Sequence, residues 1–134
     1  MRLKDRVAIV TAAAGAGIGQ ATARKLAKEG AKVVVSDHHE KRTEEVANAM
    51  KSEYGADNIF GIKCDVSSSN DVSNMVKQTL EKLGRIDILV NNAGRNLLSP
   101  VDRMTDEVWE GVISVNLKGT FLCSKAVAPA MIKQ

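Results

Sequence analysis

The chain has 134 residues, 44% hydrophobic and 26% charged, which fits one globular domain with a real core and excludes a disordered chain. The formal net charge of +3 is interleaved with acids, as in Lys28-Glu29, Glu40-Lys41-Arg42 and Glu81-Lys82, and only 3% of residues are aromatic; a nucleic-acid partner is excluded for want of a basic stripe or stacking platform. No run reaches the roughly 18 apolar residues of a membrane span and no signal-peptide pattern is present, so no membrane partner is expected, the compartment is expected to be cytoplasmic, and Cys64 and Cys123 are expected as buried, reduced thiols.

Short β-branched runs alternate with longer amphipathic ones. Val7 to Val10 reads as the first strand. A helix is predicted from near Gly17, with Ile18, Thr22 and Leu26 on its apolar face, ending at Gly30, a natural C-terminal cap. Lys32 to Ser36 is the second strand, and residues 40 to 54 form a helix with Val46, Ala47 and Met50 as its stripe. Ile59 to Cys64 is the third strand. The run Ser67-Ser68-Ser69-Asn70-Asp71 is N-cap chemistry, since these side chains accept from the orphan N–H groups of a first turn. Val72, Met75, Val76, Thr79, Leu80 and Leu83 then recur at helical spacing up to Gly84. Ile86 to Val90 is the fourth strand. After a loop with Pro100, Thr105 caps a helical run through Trp109, and a second apolar helical run extends from about Val112 to Met131.

Strands joined by helical crossovers are parallel, and right-handed crossovers give the sheet order 3-2-1-4. The fold class is therefore α/β, the first half of a doubly wound parallel sheet of the Rossmann type followed by helices, with residues 1–134 belonging to a single dinucleotide-binding domain.

The stretch from Thr11 to Gly19, Thr-Ala-Ala-Ala-Gly-Ala-Gly-Ile-Gly, lies between the first strand and the first helix. A glycine-rich turn there lets backbone N–H groups approach a phosphate, which the helix N-terminus favours electrostatically. Asp37, at the tip of the second strand, is an acid placed to accept from both hydroxyls of a ribose. Together they point to a dinucleotide. His38 and His39 are read as a surface pair whose side chains point to opposite faces of an extended segment, and no metal site is expected.

The order of these motifs, with Cys64-Asp65-Val66 after the third strand, Asn91-Asn92-Ala93-Gly94 after the fourth and Asn116-Leu117-Lys118-Gly119 in the last helical run, resembles the short-chain dehydrogenase/reductase family over the whole chain. The general look is of acyl-chain ketoreductases, the 3-oxoacyl-acyl-carrier-protein reductase-like members; steroid and sugar alcohol dehydrogenases are equally compatible. The resemblance implies that Gly17, Ile18 and Gly19, with Thr11 and Gly15 in the same turn, bind the pyrophosphate. It implies that Asp37 binds the adenosine ribose and repels a 2′-phosphate, which favours NAD over NADP. Asp65 and Val66 are implied to border the adenine, and Asn91, Ala93 and Gly94 to floor the cofactor cleft. Asn116 matches the family's catalytic asparagine, whose backbone holds a water in a proton relay. One departure stands out. The family pattern Thr-Gly-x-x-x-Gly-x-Gly is one residue shorter from threonine to second glycine than Thr11 to Gly17, and its first glycine is replaced by Ala12 or Ala13. Either the turn is longer, or Ala12 takes the threonine's place.

The family's Tyr-x-x-x-Lys pair is not in this sequence: its one tyrosine, Tyr54, is followed four residues later by Asn58. The resemblance therefore implies the cofactor-binding portion of an NAD-dependent oxidoreductase for a hydroxyl/ketone pair. These 134 residues alone are expected to show no NADH oxidation, with the fourth strand an open edge and the last helix short of cover. The competing reading is a non-catalytic nucleotide-binding or oligomerisation module. Both readings are compatible with a homo-oligomer built through the last helical run. The identity of the alcohol or ketone substrate is not written in these residues.

Overall fold

A computed structural model describes all of residues 1–134. Four parallel strands, β1 (Val7–Val10), β2 (Lys32–Asp37), β3 (Ile59–Lys63) and β4 (Ile88–Val90), form one sheet in the order β3-β2-β1-β4. The register sets Ile9 beside Val34 and Leu89, and Val34 beside Phe60. Every residue of β1 is buried, as expected for a strand covered on both faces, while all three of β4, paired on one side only, are partly exposed.

The helices α1 (Ile18–Lys28) and α2 (Glu40–Tyr54) pack on one face around Val10, Val33, Val35, Ala47, Met50 and Ile59. On the other face α3 (Ser69–Leu83) and α5 (Gly119–Lys133) close over Ile9, Val34, Ile62, Met75, Ile86 and Val127. Burial of these side chains, at roughly 1.5–3 kcal/mol for each large one, is the main term holding the layers together. Local chemistry fixes the helix ends. Ser68 caps α3 by accepting from the Asp71 N–H at 3.2 Å, and Gly84 ends it in the left-handed conformation at φ 74°. At the base of the sheet the Asp87 carboxylate accepts from the Val7 N–H, Arg6 and Arg85, and the Arg85 bonds hold its pKa down to about 2.

The structure corrects several boundaries. Ile18 is 81% exposed; the buried stripe of α1 is Gly19, Ala23 and Ala27, one position on, because small residues let the helix approach the sheet closely. β2 runs one residue further than predicted, so Asp37 is itself a strand residue, and β3 ends one residue earlier. β4 starts at Ile88, since the Ile86 N–H and C=O are engaged by the Gln134 carboxamide at 3.0 and 2.8 Å. The two helical runs after Thr105 are continuous: α4 (Asp106–Ile113) passes through a π-helical stretch, Ser114–Lys118, into α5.

Candidate functional site

The C-terminal ends of the strands open onto a cleft of about 590 Å³. It brings together Gly15, Asp37, Asp65, Val66, Ala93 and Gly94 from the predicted set, and adds Ala12, His38, Arg42, Cys64 and Arg95. Thr11, Gly17, Ile18, Gly19, Asn91 and Asn116 do not line its wall.

Thr11 instead organises the turn from beneath. Its hydroxyl accepts from the Asn92 and Ala93 N–H groups, both at 3.0 Å, and donates to the Val90 carbonyl at 3.3 Å, using all its capacity in a site that is 1% exposed. Asn92 returns the connection through its amide, which donates to the carbonyls of Thr11 at 3.0 Å and Ala12 at 3.2 Å. Thr11 thus keeps its place directly after β1, and the extra residue lies within the turn. Ala12 takes a left-handed φ of 50°, a conformation that costs a residue with a Cβ about 1–2 kcal/mol and that glycine adopts freely.

The far end of the turn is open. Gly17 is the N-cap of α1, with no side-chain cap and no acid in the first turn, whereas α3 and α4 are capped by Ser68 and Thr105. The first N–H groups of α1 are therefore orphan donors at the positive end of a helix, and nothing lies within 4 Å of where side chains at Gly15 or Gly17 would stand. That is the cradle a pyrophosphate needs. Gly19 is different: buried, with Ala12 O and the Asn92 amide against it.

Asp37 joins the turn to β2. Its Oδ2 accepts from the Ala14 N–H at 3.3 Å and its Oδ1 from the His39 N–H at 3.2 Å, with the side chain 4% exposed. Across the cleft, Asp65 Oδ1 accepts from the Ser67 hydroxyl at 2.6 Å and N–H at 2.9 Å, which hold its carboxyl below the usual range. Burial pushes the Cys64 thiol up to about 12 and Cys123 to about 11, so neither is a thiolate at neutral pH.

His38 and His39 do not splay to opposite faces. Their ring centroids are 3.9 Å apart, because β2 ends at Asp37 and His39 is already the N-cap of α2. No group of three His, Cys, Asp or Glu side chains is placed to hold a metal ion.

Asn91 faces α5, where its amide donates to Ser124 Oγ at 3.1 Å. Asn116, in the π-helical stretch, clamps the loop after β4: its Oδ1 accepts from the Arg95 N–H at 2.8 Å and its Nδ2 donates to the Arg95 carbonyl at 3.0 Å. Its own carbonyl accepts from Thr120 Oγ1 at 3.0 Å. Gly119, ending the same motif, is buried against Val66, which a Cβ would meet at 2.7 Å. Sequence reasoning gave no site role to Asn92, His38 or Arg42, and no local pattern pointed to Arg42, five positions after Asp37 and across the boundary between β2 and α2.

Comparison with known proteins is consistent across sequence and structure. A family model described as short chain dehydrogenase matches residues 6–134. The chain is 46% identical, over 92% of its length and 47% of the relative's, to a protein of Mycobacterium tuberculosis named (5R,7aS)-5-hydroxy-7a-methyl-1-oxo-2,3,5,6,7,7a-hexahydro-1H-indene-carboxyl-CoA reductase. It is 38% identical, over 99% of its length and 52% of the relative's, to the (2S)-[(R)-hydroxy(phenyl)methyl]succinyl-CoA dehydrogenase subunit BbsD of Thauera aromatica. A crystal structure of a short chain dehydrogenase from Mycobacterium smegmatis superposes with a TM-score of 0.90 at 43% identity, covering 96% of this chain and 53% of that one. The chain spans about half the length of the relatives it matches.

Proposed function

The chain belongs to the short chain dehydrogenase family, and from that premise we propose that it is the cofactor-binding portion of an NAD-dependent oxidoreductase acting on a hydroxyl/ketone pair. The observation that carries this reading is the bond from the Ala14 N–H to Asp37 Oδ2, which ties the turn with the orphan helix donors to the acid suited to a ribose. When bound, NAD supplies the hydride acceptor. The protein's part is to hold the pyrophosphate at the N-terminus of α1, the adenosine ribose at Asp37, and the adenine between Asp65 and Val66. Asn116 fixes the loop after β4 through its two bonds to Arg95, and the family likeness assigns its backbone a water of the proton relay. Tyr54 is not placed to be the proton donor, since it sits at the far end of α2 and is followed four residues later by Asn58. Two relatives named for CoA thioesters support an acyl substrate carrying the hydroxyl or ketone.

Isothermal titration tests the cofactor assignment. Asp37→Ala is expected to weaken NAD by about 1–3 kcal/mol, the cost of leaving a hydrogen-bonding site unpaired, and to tolerate NADP better. An unchanged NAD affinity removes Asp37 from the role.

Self-association is part of the same reading. Trp109, Leu117 and Phe121, all on the α4–α5 run, are more than half exposed, a cluster of large apolar groups suited to a second copy. Sedimentation at rising concentration is expected to show an oligomer that Phe121→Asp weakens; a monomer at every concentration rejects this face as an interface.

A further inference from the structure

The edge of the sheet at β3 carries a groove of about 380 Å³ between α2 and α3. β3 pairs only with β2, in parallel. The Cys64 N–H donates to the Asp37 carbonyl at 3.0 Å, so the alternation of a parallel ladder turns the backbone groups of Ile62 toward β2 as well. Those of Gly61 and Lys63 face outward, with no strand to receive them, and form the floor of the groove. Because α2 packs on one face of the sheet and α3 on the other, the two walls meet alternate side chains of any extended chain laid along that floor.

The walls are polar and mostly of one sign. Glu40 and Glu44, one helical turn apart on α2, are both exposed, and neither is paired with a cation of the chain. Opposite them α3 presents Asp71, Asn74 and Gln78 at the spacing of one helical face, and the two amides make no hydrogen bond within the chain. Such amides offer a donor and an acceptor each, which suits peptide groups. Three carboxylates thus stand against one ammonium, that of Lys63, on a chain whose formal net charge is +3. Ile62 is the single apolar residue of the lining, so the groove offers backbone pairing and charge, and little to an apolar ligand. A second copy of the same edge would bring like charges together, which guards against self-pairing and leaves the edge open to a cationic strand. The spacing fits as well: alternate residues of an extended chain are about 6.6 Å apart, and the turn from Glu40 to Glu44 advances about 6 Å.

We propose that this groove takes a basic, extended segment of a partner protein, which adds to β3 as a further strand with cationic side chains at alternate positions against Glu40 and Glu44. The outward backbone groups of Gly61 and Lys63 supply the pairing, and the carboxylates select the charge of the segment.

Fluorescence anisotropy of a labelled acetyl-Lys-Thr-Lys-Thr-Lys-Thr-Lys-amide peptide, titrated with the full chain, tests the groove. Saturable binding with a Kd below about 1 mM is expected, and binding at least about tenfold weaker for the peptide with glutamate in place of lysine. The double variant Glu40→Gln, Glu44→Gln is expected to weaken the lysine peptide about tenfold; both side chains are exposed, so the fold is kept. Two further peptides, one N-methylated at every threonine and one at every lysine, separate strand addition from attraction by charge. Only one alternate set of N–H groups faces β3, so one of the two peptides is expected to lose at least about tenfold more affinity than the other. Equal losses from the two, or none, mean that charge alone holds the peptide and overturn the strand. Binding unmoved by the glutamine pair places the peptide elsewhere and overturns the groove, as does the absence of saturable binding below about 1 mM.

Discussion

Thr11→Val is expected to lower the stability of the fold by about 2–4 kcal/mol, although it exchanges one buried group for another of nearly the same shape. The methyl that replaces the hydroxyl fits the space but accepts no hydrogen bond. The Ala93 N–H, 3.0 Å from Thr11 Oγ1, loses its acceptor; the Asn92 N–H loses one of two, keeping the Val90 carbonyl at 3.0 Å; and that carbonyl loses the hydroxyl among its donors. Both N–H groups are half-buried at the end of the sheet's edge strand, so water replaces the lost acceptor only in part. Thr11→Ser keeps the hydroxyl and is expected to lose less than about 1 kcal/mol, since it sheds only a methyl. Urea unfolding followed by Trp109 fluorescence reads both variants. A valine variant as stable as the serine one shows that the hydroxyl does not hold the loop after β4 to the turn.

Much of the fold was legible because its signals are local and strong. The all-apolar run Val7–Val10, the helical spacing from Val72 to Leu83 and the left-handed glycine at 84 each specify their element without help from elsewhere. Sheet order followed from connection handedness. What was misread shares a different cause. The buried face of α1 is made of Gly19, Ala23 and Ala27, whose weak apolar signal was outweighed by the exposed Ile18. The start of β4 depends on a carboxamide 48 residues away in sequence, which no local pattern encodes.

The site divides along the same line. Asp37, Asp65, Val66, Ala93 and Gly94 were readable as motif positions, and the fold sets them on one cleft. Between adjacent asparagines, sequence gives no basis for choosing which faces the turn; register decides that Asn92 does and that Asn91 turns toward Ser124. Arg42 is invisible until α2 is laid against the tip of β2, because its relation to Asp37 is a helical turn across an element boundary. The longer glycine turn was legible as a departure, but not its consequence, an alanine held at φ 50° by Asn92 on one side and by the Ala13 N–H bond to the Ser36 carbonyl on the other.

That held alanine makes Gly19 the most sensitive position of the turn. A Cβ at residue 19 would stand 2.6 Å from the Ala12 carbonyl oxygen and closer still to the Asn92 side-chain amide. The amide can rotate away only by giving up its bonds to the Thr11 and Ala12 carbonyls. The carbonyl oxygen belongs to backbone that is fixed at both ends and cannot yield cheaply. The remaining escape is for α1 to lift, which uncovers Ala23 and Ala27 and loosens their contact with the sheet. Each route costs energy, and Gly19→Ala is expected to destabilise the protein by about 2–4 kcal/mol, the upper range for overpacking. Gly17→Ala is the matched control: its Cβ meets nothing within 4 Å and its φ is −139°, so stability is expected to change by less than about 0.5 kcal/mol. Adding Asn92→Ala to Gly19→Ala separates the two contacts, since it removes the amide but leaves the Ala12 oxygen. The double variant is expected to cost less than the sum of the two single changes, yet to remain less stable than Asn92→Ala alone. Unfolding midpoints for Gly19→Ala and Gly17→Ala that coincide show that the turn has slack; the close packing of α1 on the loop after β4 then does not set its shape.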